Sequence, residues 1–268
     1  MAEIKREIAI VAIVAALGIG ILGGWFIPAP TPTPTRTSLL DHIKATNTLN
    51  IGTSADYPPF EFWNITVIPN EIQGFDVDLC DWIADELGVN IQWTDMPFGS
   101  LITACANGKI DMIAAAMTYN TNRSTYLAAT VPYITVGQAV IVRNDSSLTI
   151  SSLDDLVGHT VGCQLGTTLW DDLVLAGVTP TGFVTVDALI QDLILGGVEA
   201  AYVDEPVFTS WSRTYDLKII LRTGTEPFSL WTRYGQPELL FELNNVILAS
   251  YLDGRMFDNM EKWLNITS

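Results

Sequence analysis

Short apolar runs of strand length alternate with segments of helical period twice along this chain, and few architectures other than α/β layers accommodate that order. Asn50 to Ser54 reads as a strand. Asp76 to Leu87 follows as a helix with Cys80, Ile83, Ala84 and Leu87 on one face and Gly88 as its stop. Val89 to Thr94 is then a strand, Leu101 to Ala106 a helix ended by Gly108, and Asp111 to Ala116 a third strand. The second module repeats the pattern with strand Thr160 to Gln164, helix Thr168 to Ala176, strand Phe183 to Val186, helix Asp187 to Leu195 and strand Ala200 to Asp204. Two α/β lobes are expected, joined by the extended apolar run Ile134 to Arg143. A long amphipathic helix carrying Leu239, Leu240, Leu243, Val246 and Ile247, and a shorter one ending near Trp263, are expected to return to the first lobe.

In open parallel sheets, ligands bind beyond the carboxyl ends of the strands. The candidate site therefore follows Ser54, Ala116, Gln164 and Asp204. Those strand ends gather Tyr57, Thr118, Arg123, Gly166, Thr167, Thr168 and Asp204: one fixed cation, one anion, several hydroxyls and an aromatic ring. This set suits a small zwitterion. Arg123 can grip a carboxylate through parallel N–H bonds, the amides that open the helix after Gly166 add donors, and Asp204 can accept from an ammonium group. The stretch IGTSADYPPFEF (51–62) adds a stiff frame for the ring, because Pro58 and Pro59 end the strand and the sequence then exposes Tyr57. Each residue also has a plainer reading: a surface charge for Arg123, a helix start for Asp204, and an N-cap for the Thr167-Thr168 pair.

Composition removes several function classes. With 30 acidic against 13 basic residues and a formal charge of −17, the chain lacks the cationic surface that nucleic acid requires. Cys80, Cys105 and Cys163 are too few and too widely spaced for a disulfide framework or a metal knuckle, and their apolar neighbours make them small buried hydrophobes, although a Cys80–Cys105 bridge stays open. His42 and His159 are far apart, so no metal or cofactor is expected. Residues 8–27 form an uncharged run of membrane-spanning length preceded by Lys5 and Arg6, which reads as an anchor with the amino terminus in the cytoplasm; a cleaved signal is the rival. Gly18-Ile19-Gly20-Ile21-Leu22-Gly23 matches a dinucleotide fingerprint but lies inside that run, without the strand such a site needs. PAPTPTPTRTS (28–38) reads as an extended stalk.

The segments GTSADYPPFEF (52–62), GFDVDLCDWIADELGV (74–89), MPFGSLITACANGKIDMIAAAMTYNTNR (96–123), VGCQLGTT (161–168) and AAYVDEP (200–206) together resemble the polar amino-acid solute-binding proteins of ABC importers, bacterial family 3, over about residues 40–266. The resemblance implies a two-lobed periplasmic-binding-protein-like α/β fold of type II that hinges on two crossover strands. The expected divisions are 1–27 for the cytoplasmic tip and transmembrane anchor or signal, 28–38 for the linker, 39–136 for lobe 1, 137–226 for lobe 2, and 227–268 for the return to lobe 1. It further implies that Tyr57 stacks on the ligand side chain with Phe98 opposite, and that Thr118 and the Ala116 backbone meet the α-amino and carboxyl groups. Arg123, Thr167 and Thr168 then take the carboxylate, and Asp204 takes the ammonium. Ser54, Asp56, Gln164 and Gly166 complete the expected lining. Relatives often carry an acid at the position of Ser54 and serines where Ala115 and Ala116 stand. With the acid at Asp56 instead, a neutral or amide amino acid is as compatible as a cationic one.

The implied partners are a free amino acid and the permease subunits of an ABC importer, with the protein acting as a monomer on the extracytoplasmic face. Two rivals share this fold. An enzyme of the dehydratase or lytic transglycosylase type would use Asp56, Glu61 or Glu205 as an acid, and nothing in the sequence supplies the required pKa or substrate geometry. A sensor ectodomain would need a separate output partner, because the sequence after the last helix signal holds no second span.

Overall fold

The structure, a computed structural model, describes residues 37–266. The apolar run 8–27 and nearly all of the Pro/Thr segment lie outside the described residues, and among those residues no helix is long and apolar enough to cross a membrane.

The chain enters through α1 (Leu39–Thr46), whose start is fixed by a capping box: Ser38 accepts from the Asp41 amide and Asp41 accepts from the Ser38 amide. β1 (Thr48–Thr53) follows, then β2 (Asp56–Tyr57), β3 (Glu61–Asn64) and β4 (Glu71–Gln73). Next come α2 (Phe75–Leu87), β5 (Asn90–Asp95), α3 (Leu101–Ala106) and β6 (Met112–Ile113). α2 stops at Gly88, which takes the left-handed conformation (φ 68°) and returns its N–H to the last turn. β7 (Leu127–Ala129) precedes the long β8 (Ile134–Arg143).

The second module comprises β9 (Val161–Gln164), α4 (Thr168–Leu175), β10 (Thr181–Phe183), α5 (Val186–Leu195) and β11 (Ala200–Asp204). After it come α6 (Glu205–Trp211), the twelve-residue β12 (Leu217–Phe228), β13 (Trp231–Arg233), α7 (Pro237–Asp253) and α8 (Arg255–Leu264). The predicted alternation holds, with most boundaries displaced by one or two residues, but the predicted strand Phe183 to Val186 lies instead at Thr181–Phe183, because Thr185 caps α5 and Val186 already belongs to that helix.

Two five-stranded sheets result. The first has the order β5-β1-β6-β13-β7, with β1 parallel to β5 and β6 and β13 antiparallel to its neighbours. The second has the order β10-β9-β11-β8-β12, with β9 parallel to β10 and β11, and β8 antiparallel to β11 and β12. β2, β3 and β4 form a small antiparallel sheet of their own.

The third predicted strand, Asp111 to Ala116, contracts to Met112–Ile113. The physical reason lies in Ala116, whose positive φ (46°) turns the chain and whose N–H goes to the buried Asp76 carboxylate at 2.9 Å instead of to a ladder partner. That turn releases residues 115–118 toward the space between the sheets.

β8 and β12 pair along most of their length, from Leu217 opposite Arg143 to Phe228 opposite Ile134. Both belong to the second sheet, and their Phe228 end docks on the first. Thr118 bridges Phe228, the Tyr119 amide donates to the Pro227 carbonyl, and the Tyr133 amide donates to the Phe228 carbonyl. The C-terminal helices cover the first sheet: Asn259 Nδ2 donates to the Phe75 carbonyl at 3.0 Å, and Trp263 Nε1 donates to Asp78 at 2.8 Å. The three cysteines are buried and unpaired, in agreement with the hydrophobic reading and not with a bridge.

Candidate functional site

The carboxyl ends of β1, β6, β9 and β11 converge on one cavity of about 330 Å³, at the small end of the range for ligand pockets. Its lining includes every residue expected from the sequence except Gly166, whose positive φ (83°) turns the chain beside it and whose carbonyl accepts from Arg123.

Tyr57 departs from its expectation. The sequence exposes its ring; in the structure the ring is 7% exposed, stacks on Phe60 with centroids 6.2 Å apart, and its hydroxyl donates to Asp204 Oδ2 at 2.5 Å. The Pro-Pro frame carries the ring inward because that hydroxyl finds a carboxylate partner on the other sheet. Burial and the neighbouring Asp204 charge push the phenol well above its usual pKa, so it remains a donor.

Arg123 is 4% exposed, so it is not the surface charge of the plainer reading. Its Nη1 donates to the Thr118 carbonyl at 2.7 Å, its Nη2 to the Gly166 carbonyl at 3.2 Å, and its guanidinium carbon sits 5.4 Å from the centre of the Phe98 ring. Burial lowers its pKa to about 10, which leaves it charged at neutral pH. Thr167 serves as the N-cap of α4, accepting from the Trp170 amide and donating to the Gln164 carbonyl, so its hydroxyl is engaged within the helix start. The plainer expectation for Thr167 is therefore met. The Ala116 N–H is likewise engaged by Asp76, leaving its carbonyl as the backbone group with free capacity.

Asp56 reaches across the cleft, accepting from Ser54 Oγ at 2.8 Å, from Gln164 Nε2 at 3.3 Å and from the Val186 amide at 2.5 Å. Two further lining acids were not in the expected binding set. Glu61 is 1% exposed with neither carboxyl oxygen hydrogen-bonded, and Glu226 Oε2 accepts from Thr118 Oγ1 at 2.5 Å and Thr168 Oγ1 at 2.7 Å. Asp204 also keeps one buried oxygen, Oδ1, without a partner. Glu226 lies two residues before the end of β12, opposite Val136 on β8, and the only signal for it in the sequence is its place before Pro227 and Phe228 at the expected lobe boundary. Among the described residues no cluster of three or more His, Cys, Asp or Glu could hold a metal ion.

Four lining acids thus face one arginine. Burial raises Asp56 to about 6 and Asp204 to about 7, and burial reinforced by the nearby Asp76 charge raises Glu61 well above the carboxylate range. Asp76, behind Ala116 and Tyr133, is raised to about 7 by burial. Folded-state pKa values above those of the unfolded chain mean that folding takes up protons. The associated stability is complete below about pH 4 and is lost as pH climbs through about 6 to 7. Without added ligand, the thermal midpoint is expected to fall on the order of 5 °C between pH 5 and pH 8, and a ligand bringing positive charge should narrow the gap. A midpoint that rises over that interval in differential scanning calorimetry contradicts the burial of these acids.

The geometry has counterparts. The sequence pattern of the bacterial extracellular solute-binding proteins, family 3, matches residues 49–266. A probable histidine-binding protein of Campylobacter jejuni is 36% identical over 145 residues, which is 54% of this chain and 54% of that protein, so the matched stretch spans about half its length. An ABC transporter arginine-binding protein of Escherichia coli is 29% identical over 82% of this chain and 91% of its own. Among solved structures, an arginine-binding protein variant from T. maritima superposes with TM-score 0.80 at 33% identity, covering 85% of this chain and 99% of that one. An ancestral amino acid-binding protein described as a precursor of cyclohexadienyl dehydratase gives 0.79 at 31%, covering 84% and 99%. The fold is accordingly the mixed α/β, two-lobed type of periplasmic binding proteins.

Proposed function

This chain belongs to the bacterial extracellular solute-binding proteins, family 3, and we propose that it captures a polar amino acid between its two lobes and delivers it to the permease of an ABC importer. One observation carries this reading: a buried guanidinium and a buried carboxylate with an unpartnered oxygen, Arg123 and Asp204, face one cavity between two sheets. A zwitterion supplies the complementary pair, and a polar interior tolerates it only when each charge is matched. The α-carboxylate belongs with Arg123, Thr118 and the start of α4, and the ammonium belongs with Asp204 Oδ1. Tyr57 and Phe98 flank the side chain. The excess of acids over bases in the lining favours a side chain that ends in a cation or an amide donor directed to Asp56 and Glu61.

Lobe 1 comprises 39–136 and 227–268, and lobe 2 comprises 137–226, with β8 and the Glu226–Phe228 end of β12 as the two connections about which the lobes close. Tyr57–Asp204, Asp56–Gln164 and Arg123–Gly166 are the bonds that closure forms. Residues 8–27 anchor this monomer at the membrane, and 28–38 hold it off the extracytoplasmic face. The relatives are binding proteins rather than enzymes, and binding without turnover is the reading for this chain too.

A thermal-shift panel of the twenty amino acids on the full chain tests the proposal. A ligand at 100 times its Kd adds about 2.7 kcal/mol, a rise of about 5 to 10 °C for a domain of this size. A hit with no product formed supports the reading; no shift with any amino acid, or turnover of prephenate or arogenate, overturns it.

A further inference from the structure

Glu226 stands where the proposed ligand carboxylate should go. Thr118 and Thr168 each have one hydroxyl proton, the two oxygens lie 3.4 Å apart, and both protons are directed to the same Glu226 oxygen. A second carboxylate cannot take those protons while Glu226 keeps them. Arg123 is the single cation in the lining and already donates to two carbonyls, so two anions beside it would repel each other in a poorly solvated space. On the far side, Asp204 Oδ1 remains able to accept an ammonium group whichever carboxylate holds the threonines.

Resting on the amino-acid reading above, we infer that Glu226 is a tethered carboxylate that competes with the ligand's own for Thr118 and Thr168, and so sets the preference between an α-amino acid and the corresponding decarboxylated amine. An amino acid binds only to the fraction of molecules in which Glu226 has withdrawn. Its apparent Kd is raised by the inverse of that fraction, so 90% occupancy by Glu226 weakens binding about tenfold. An amine leaves Glu226 in place and uses its carboxylate as part of the cage. The position suits this exchange: Glu226 is on a crossover strand beside a register irregularity between Arg222 and Thr225, is half-buried, and is next to the Pro227–Tyr119 contact that docks β12 on the first sheet.

Isothermal titration of the full chain, wild type, E226Q and E226A, tests this with L-arginine, L-lysine, L-histidine and L-glutamine beside agmatine, cadaverine and histamine. The inference expects opposite signs: about tenfold tighter binding of the preferred amino acid in both variants, and weaker binding of its amine than in wild type. Binding of an amino acid to the variants but not to wild type also supports it. If Glu226 were only a structural tie between the lobes, both ligand classes would weaken together, and that result overturns the inference while leaving amino-acid capture intact. An unchanged amino-acid affinity in both variants does the same. No binding of any of these probes to any of the three proteins overturns this inference, while the panel of twenty amino acids decides the amino-acid reading separately.

Discussion

Arg123→Ala is expected to weaken amino-acid binding by about 3 to 5 kcal/mol, at least about a hundredfold in Kd. The magnitude follows from what remains after truncation. The cavity still receives the ligand's carboxylate, but its remaining donors there are the Thr118 and Thr168 hydroxyls and the first amides of α4, in a lining that holds Asp56, Glu61, Asp204 and Glu226. An anion in that company is desolvated and repelled. The same truncation removes two hydrogen bonds that tie the Thr118 and Gly166 carbonyls across the cleft, and it uncovers one face of Phe98. Arg123→Lys separates these effects: it keeps the charge but not the fork, and should recover part of the affinity. Calorimetric titration with the best ligand of the panel measures both variants. A loss smaller than tenfold for Arg123→Ala would remove Arg123 from the carboxylate site.

Much of this arrangement can be read from the sequence alone, and for a physical reason. The helix stop at Gly88, the capping threonine at 167 and the alternation of strand and helix are local signals, read from three or four neighbouring residues at a time. Parallel β-α order then forces strand ends to one edge, so Ser54, Ala116, Gln164 and Asp204 could be placed together without knowing the packing. What stayed hidden depends on contacts between segments remote in sequence. Tyr57 reads as exposed because nothing near it in the chain predicts that Asp204, 147 positions away, accepts its hydroxyl proton. The apolar run 111–116 reads as a longer strand than Met112–Ile113 because nothing in it reveals that Asp76 takes the Ala116 amide. Glu226 carries no local mark beyond its place before Pro227 and Phe228. Its role depends on β12 crossing back to the first sheet and on two hydroxyls supplied by residues 118 and 168.

Asp204→Asn should move binding and stability in opposite directions. The amide has the shape of the carboxylate and can still accept from the Tyr57 hydroxyl, so the contact between the sheets is retained. What is lost is the charge that Oδ1 offers an ammonium group. Truncating one partner of a buried charge pair costs about 2 to 5 kcal/mol, so Kd should rise by about thirtyfold or more. In the protein without ligand the same charge is a burden: Asp204 is 3% exposed, and burial has raised its pKa to about 7. At pH 8 the wild-type carboxylate is ionised with one oxygen unpartnered, and the asparagine variant avoids that cost. Its thermal midpoint should therefore exceed the wild-type value at pH 8 and converge on it near pH 5, where Asp204 is protonated, leaving a shallower fall with pH. Scanning calorimetry at the two pH values, paired with titration of the preferred amino acid, reads both halves. An affinity unchanged within about threefold would remove Asp204 from the ammonium site; a midpoint lowered at pH 8 would show that its charge stabilises the fold instead of being held in reserve for the ligand.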